Sequence, residues 1–312
     1  MDRVTLRQLR GLVAVEQAGT ITGGADALGL TPPAVSMQIR QLEETVGMPL
    51  AERTAGGFVL NEAGKEVLDT ARRIEAALRE CGEALEALQQ KEGGRVVVGG
   101  VSTAKYFLPQ AVAAFAEAWP GVSVRLEIGN RDETMAKLRA YEIDLAVTGR
   151  PPLDIPIRRA VIGEHPYVII GSPRHHLVAR GSVPFSALRA ETFIMRENGS
   201  GTRTLAARLI GAAGFPARVG MEMGSNESIK QAVMAGLGIA VISAHTVSTE
   251  VKDGRIAILP IRGLPVMKQW YVTSREDKRL LPPALAFWEF LATRGKGLLP
   301  VIPELAIGVA SG

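Results

Sequence analysis

The feature that most constrains this chain is residues 19–53, where two short helical patterns flank one tight turn and the second is polar along one face. Leu6, Leu9, Leu12, Val13 and Val15 recur at helical spacing and predict a helix ahead of them. Thr20 or Thr22 caps the next, which turns Ala25, Ala27 and Leu28 inward. Gly29 suits the turn, since glycine adopts positive φ without steric cost. Thr31 then reads as an N-cap, with Pro32 at the first helical position, where a missing N–H is harmless. Along 31–44, Val35, Ile39 and Leu42 face a core, whereas Pro32, Pro33, Ser36, Met37, Gln38 and Arg40 lie on or near the other face. Such a unit places its second helix in a DNA major groove. Thr22, Thr31, Pro32, Pro33, Ser36, Gln38 and Arg40 are the candidate contacts. Hydroxyl, amide and guanidinium groups bond base edges or phosphates, and proline meets a thymine methyl. Taken alone, the pattern also fits a helical hairpin with a solvated face.

Leu50 to Leu60 contains Thr54-Ala55-Gly56-Gly57-Phe58-Val59-Leu60, a glycine turn between two extended arms, which predicts a β-hairpin wing. Arg53, at its start, is either a phosphate contact or an ordinary surface arginine. The run Ala25-x-x-Leu28-x-Leu30-Thr31-x-Pro33-Ala34-Val35-Ser36-x-Gln38-Ile39-x-x-Leu42-Glu43, followed by Gly47, Leu50, Arg53 and Thr54 to Gly64, resembles the DNA-binding head of the LysR-type transcriptional regulators. There are departures from the family pattern. Gly23 and Gly24 occupy helix positions and weaken that helix by up to about 1 kcal/mol each. Pro32 replaces a frequent glutamine and withholds its base contact, and Ala51 stands where the family mostly has phenylalanine.

From Glu62 to Lys91 there is no proline, and Val67, Ala71, Ile74, Leu78, Cys81, Leu85 and Leu88 recur at spacings of four and three. So narrow a stripe needs a partner, either the same helix of a second chain or the chain's own downstream domain. In the resembling family the matching helix is a dimer linker and tetramers are common, which implies self-association, a two-fold operator in double-stranded DNA, and RNA polymerase as a further partner. Cys81 is the single cysteine, so an intrachain disulfide framework is excluded and a reducing cytoplasm is expected. No apolar run reaches membrane-spanning length and the N-terminus lacks a basic-then-apolar signal, so no membrane partner is expected.

Gly93-Gly94 breaks the helix, and strands then alternate with amphipathic helices. Strands over 95–101, 122–128 and 145–148 with helices over 105–118 and 133–140 predict an open parallel sheet. A second set follows: strands at 167–170, 192–195, 219–223 and 239–242, with helices at 203–213 and 227–235. A late strand at 267–273 and a helix at 282–291 return to the first set. The expected class is α/β. A winged helix-turn-helix spans 1–61, a linker helix 62–92, and a two-lobed effector domain resembling the periplasmic-binding fold 93–294. In that domain, 93–163 with 265–294 form one lobe and 164–264 the other, and 295–312 reads as a loose tail.

Ligands of such sheets sit beyond the carboxyl ends of the strands. Ser102, Thr103, Asn130 and Thr148 stand there in the first lobe, and Ser200, Thr202, Arg203 and Asn226 at helix starts in the second. Helix N-termini and hydroxyls favour an anion, although each residue also serves as a simple cap. Residues 1–92 hold 10 Lys+Arg against 14 Asp+Glu, so the cationic surplus lies entirely downstream, where it fits either an anionic ligand or arginines scattered over the surface. Gly100 to Pro109, Gly129-Asn130-Arg131, Met221 to Gly238 and Ile242 to Val247 resemble the LysR-type subgroup that controls Calvin-cycle (RuBisCO) operons. That resemblance implies a small anionic or phosphorylated effector. The alternatives are a LysR-type regulator of another metabolic operon and an architectural DNA binder with an empty pocket. Enzymatic readings fare worse. Ser102-Thr103 with Lys105 lacks phosphate-loop spacing, and His165, His175, His176 and His245 form no zinc-ligand pattern with Cys81, so neither a metal nor another cofactor is expected.

Overall fold

The computed structural model describes residues 3–54, 57–89 and 93–302, and the side chains of 53, 54, 57 and 86–89 lie outside that description. The chain divides into two compact units, Met1–Glu86 and Ala87–Gly312.

In the first unit α1 (Leu6–Ala18) begins with a capping box between Thr5 and Gln8. Helix α2 (Ile21–Leu28) is capped by Thr20, whose hydroxyl accepts the Gly23 N–H at 3.1 Å, while Thr22 lies exposed in the first turn. Helix α3 (Pro32–Val46) starts on its two prolines. Thr31 precedes it but makes no side-chain cap bond: Pro33 has no N–H to offer, and the Ala34 N–H donates to the Thr31 carbonyl at 3.0 Å instead. Gly24 is required rather than merely tolerated. A Cβ there would stand 2.8 Å from the Val15 backbone nitrogen, so the α1–α2 approach depends on its absence. Strands β1 (Ala51–Thr54) and β2 (Gly57–Leu60) pair antiparallel as the expected hairpin.

Helix α4 (Glu62–Gln89) divides the expected seam in two. Val67 and Ala71 are buried with Leu9, Leu12, Leu42 and Leu50, and Ile74 packs on the same cluster. Ion pairs Arg10–Glu75 (2.8 Å) and Arg72–Glu16 (2.7 Å) fasten this part of α4 to α1. These three seam residues are therefore committed to the head's own core. Leu78 (45% exposed), Leu85 (55%) and Cys81 remain uncovered, and the Leu88 side chain lies outside the described residues.

The second unit opens with β3 (Gly94–Val101), a 3-10 turn at Ala104–Tyr106, α5 (Leu108–Ala118), β4 (Val122–Gly129), α6 (Arg131–Arg139) and β5 (Leu145–Thr148). Strand β3 pairs parallel with both β4 and β5 and is buried from Val96 onward, as befits a central strand covered by helices on its faces. Then comes β6 (Ile157–Gly171), fifteen residues long, followed by β7 (Thr192–Arg196), α7 (Gly201–Ala212), β8 (Arg218–Met223), α8 (Asn226–Met234) and β9 (Ala240–Ser243). Short α9 (Ser248–Lys252), β10 (Ala257–Ile258), β11 (Val266–Arg275) and α10 (Pro282–Arg294) complete it.

Strands β6 and β11 run antiparallel and belong to both lobes. Their far halves pair with β5 on one side and with β9 and β10 on the other. The sequence announces only the apolar end of β6. Its first half carries Arg158, Arg159 and Glu164 around a run of only three apolar residues, Ala160 to Ile162, and its exposure is irregular, with 158, 159, 161 and 164 all exposed. Lobe I closes on Val98, Phe107, Phe115, Trp270 and Phe287, while lobe II has two clusters, one around Ile170 and Ile242 and one around Phe193 and Leu259. The segment after Arg294 is not loose where it is described. Leu298 and Leu299 pack on the lobe I core, and Ile302 is buried in lobe II. Residues 303–312 lie outside the description.

Candidate functional site

On α3 the inward residues Val35, Ile39 and Leu42 are buried. Thr31, Pro32, Pro33 and Arg40 are exposed on the outer side with Met37, which is 60% exposed, and Ser36 is half-buried. An exposed methionine amid short polar groups is suited to thymine methyls. Gln38 departs from its expected place. Its Oε1 is buried without a hydrogen-bond partner, and a Cβ added to Gly11 would meet it at 2.9 Å, so this side chain is pressed onto α1. The Arg53 side chain lies outside the described residues.

In the second unit a cavity of about 560 Å³ opens between the lobes. Its walls come from the strand ends and helix starts that the topology brings together. Ser102 and Thr103 follow β3, and Thr148 ends β5. Ser200 and Thr202 stand at the N-terminus of α7, where Ser200 makes no side-chain cap bond. The free N–H groups and positive dipole end of α7 thus face the cavity beside four cations: Arg131, Arg150, Arg208 and Lys268. Its lining residues include no carboxylate. Burial, and next the like charge of Arg150, press the Arg131 pKa below the usual guanidinium value. An anion would relieve that load. Tyr167 adds a neutral donor, because burial pushes its phenol up against the pull of its Thr202 hydrogen bond.

Three expected ligand contacts are employed elsewhere. Asn130 forms a capping box with Glu133 at the start of α6. Arg203 turns away to the Arg196 carbonyl and Glu222, both at 2.6 Å. Asn226 accepts from Arg196 at 2.6 Å and is almost wholly buried. Conversely, Arg131 and Arg150 were within one or two positions of the strand-end residues singled out, so a wider window would have found them. Tyr167 and Lys268 fall within the strands expected at 167–170 and 267–273, but nothing local to those strands shows that these side chains border a cavity.

Beneath the cavity, β6 and β11 bring His165 over Trp270 with rings stacked at 3.7 Å. His165 Nε2 pairs with Ser243 Oγ at 2.9 Å, and Trp270 Nε1–H donates to His245 Nδ1 at 3.1 Å. Burial holds His165 well below the usual imidazole range, and His245 down to about 4, so both are neutral. On lobe II, His175 and His176 both reach Glu191, at 3.1 and 3.4 Å. The Leu177 N–H donates to His175 Nδ1, which leaves the proton on Nε2 and gives it to Glu191. That tautomer makes the trio a hydrogen-bonded brace and turns its protonated nitrogen toward the position a metal would need.

Residues 6–65 match the bacterial regulatory helix-turn-helix protein family, lysR, and residues 89–296 match the LysR substrate binding domain. The chain is 44% identical over 301 residues to the HTH-type transcriptional regulator CbbR of Xanthobacter flavus, covering 96% of this chain and 90% of that one. It is 40% identical over 288 residues to the RuBisCO operon transcriptional regulator of Allochromatium vinosum, covering 92% and 95%. Among solved structures, the Synechocystis PCC6803 CcmR regulatory domain in complex with 2-PG superposes with a TM-score of 0.62 at 35% identity, covering 64% of this chain and 96% of that one.

Proposed function

Because the chain belongs to the LysR family of transcriptional regulators, we propose that it activates a carbon-fixation operon in response to an anionic, phosphorylated metabolite. The relatives it matches over nearly their whole length are named as regulators, not as enzymes. The observation that carries the ligand class is the inter-lobe cavity, where four cations and a helix N-terminus meet with no carboxylate among the lining residues. Ser102, Thr103, Thr148, Ser200 and Thr202 hold the ligand, with Arg131 and Lys268 supplying charge. The outer face of α3 reads the operator through Thr31, Pro32, Pro33, Ser36, Met37 and Arg40, with Thr22 and Arg53 on the phosphates. Leu78, Cys81 and Leu85 join two chains so that paired heads meet a two-fold operator, and two such dimers make a tetramer beside RNA polymerase in the cytoplasm.

Regulation follows from differential affinity. A ligand that favours one arrangement of the lobes shifts the assembly toward it by its affinity difference between the two states. Bending an operator costs on the order of 1–6 kcal/mol, so a modest difference alters how far the DNA is wrapped. The test is footprinting on DNA from upstream of a carbon-fixation operon, with and without 2-PG. A two-fold protected site whose extent or hypersensitivity changes with 2-PG is expected. Protection that is identical at every concentration, together with no calorimetric binding, would overturn the ligand assignment.

A further inference from the structure

Beside the cavity the two lobes touch through a compact set of polar side-chain contacts, in addition to the Asp132 N–H to Gly199 carbonyl bond of 3.2 Å. From lobe I, the Lys105 ammonium and the Tyr106 hydroxyl both reach the carboxylate of Glu227 in the first turn of α8. The preceding residue, Asn226, donates to the Ser102 carbonyl at 3.4 Å. Arg196, whose side chain is only 1% exposed, ties the same points together. It donates to Asn226 Oδ1 at 2.6 Å and to Ser102 Oγ at 3.1 Å, and it is held by both oxygens of Glu197. One turn along α8, Lys230 lies 5.0 Å from the Tyr106 ring centroid and is fixed by Glu250 (2.9 Å) and the Thr246 carbonyl (3.2 Å). Tyr106 is thus seated between a carboxylate and a cation of the opposite lobe.

Ser102 is the shared element, because it lines the cavity and is gripped by lobe II through its hydroxyl and its carbonyl. We propose that Lys105, Tyr106 and Glu227 form a clasp that sets the separation of the lobes, and that Arg196 and Asn226 carry this setting to Ser102 on the cavity wall. These are positioning residues: none of Lys105, Tyr106 or Glu227 lines the cavity, and they act on the ligand through lobe spacing. Burial works against the Glu227 charge, yet the Lys105 and Tyr106 hydrogen bonds hold its carboxyl down at about 2. Glu227 is therefore ionised across the physiological range. An exposed ion pair alone is a weak fastening. Here the neutral Tyr106 donor and the buried Arg196 network bear on the same two helical residues, so the contacts form together or not at all.

The inference rests on the anion-cavity reading for one of its two readouts. Full-length protein is compared with Lys105→Met, Glu227→Gln, the double variant, Tyr106→Phe, and the charge exchange Lys105→Glu with Glu227→Lys. Calorimetry with 2-PG should show affinity about tenfold weaker in each single variant, since only a fraction of molecules then has the competent spacing. The double variant should be no weaker than the singles, and the charge exchange should recover only part of the loss, because a lysine at 227 would face Lys230, whose ammonium lies 3.8 Å from the Glu227 carboxylate. Hydrogen exchange should quicken in both 102–108 and 226–234 whichever side carries the substitution. Faster exchange confined to the substituted side, or single losses that multiply in the double variant, would overturn the clasp. If the unaltered protein binds no 2-PG, the ligand reading falls, and the exchange measurement still decides the clasp.

Discussion

Replacing Gly24 by alanine should loosen the DNA-binding head, although intrinsic helix propensity argues for the opposite. Alanine in a helix interior is favoured over glycine by about 1 kcal/mol. Against this, the new Cβ would stand 2.6 Å from Val15 Cγ2 and 2.8 Å from both Val15 Cα and N. Relieving contacts that short requires α2 to withdraw from α1 by about 0.8 Å, because a backbone atom cannot rotate aside as a side chain does. Val15, Ala25, Val35 and Ile39 are buried together at that junction and would lose packing as it opened. Overpacking of this kind costs about 1–3 kcal/mol, and the upper end applies where backbone is struck. The net loss is then about 1–2 kcal/mol, or about 5–15 °C in the melting of a unit of this size. Gly23→Ala is the control. Its Cβ would meet the Ala18 Cβ at 2.9 Å and the Thr20 hydroxyl at 3.1 Å, so some adjustment is needed there too, but it falls at the exposed end of α1 rather than in the buried junction and should cost less. Scanning calorimetry of the full chain, paired with operator titration, reads both variants. A Gly24→Ala protein that melts at or above the parent, with unchanged operator affinity, would refute the claim that this glycine sets the approach of the two helices.

Arg131→Gln should weaken 2-PG binding about 10–100-fold by calorimetry, the size of a lost charge-assisted hydrogen bond, while leaving the unliganded protein as stable or slightly more so, because a charge crowded by burial and Arg150 is removed. Leu78→Glu should raise the dimer dissociation constant at least about 100-fold in sedimentation without unfolding the head, since Leu78 lies outside the head's own cluster. Ser36→Ala should reduce discrimination between operator and random DNA in filter-binding titrations, whereas Gln38→Met should leave it intact and raise head stability by about 1 kcal/mol, because the buried oxygen it removes has no partner. As pH falls from about 6.5 toward 4, the unfolded chain takes up the His245 proton before the folded one does, which should cost denaturant stability up to about 3 kcal/mol, and His245→Gln, whose amide oxygen keeps an acceptor for the Trp270 indole, should remove that share of the slope and leave the share of buried His165.

What the sequence made legible was local. Asn130 does cap its helix, Gly29 adopts positive φ at the end of α2, and the alternating pattern located most strands and helices of the second unit, missing α9, β10 and the first half of β6. These features are legible because caps and turns are decided by residues within a few positions of one another. The first half of β6 escaped, because its pairing with β11 is settled by residues about a hundred positions away. The same limit governs the site. Strand ends and helix starts identified Ser102, Thr103, Thr148, Ser200 and Thr202 as neighbours of one cavity. They could not tell which of two nearby arginines turns inward.

That choice is made by the partners available across the fold. Arg203 has a carboxylate within reach on β8 and a carbonyl on β7, so its charge is satisfied outside the cavity. Among the described residues, Arg131 has the Arg150 carbonyl at 3.2 Å and a longer contact to Asp132 at 3.4 Å, and it remains facing the cavity. The distribution of acids therefore shapes the anion site as much as the distribution of bases does. Glu222 removes one arginine from the pocket, Glu197 holds another against its wall, and Glu227 takes the lysine that follows Ser102. Among the described residues, the cations left over are those that no carboxylate claims more closely than Asp132 does Arg131, and their field favours an anion in the cleft. Glu222→Gln tests this directly. Freed from its partner on β8, Arg203 should add one more cation near α7 and tighten 2-PG binding severalfold, and weaker or unchanged binding would show that the acids do not set the charge of the cavity.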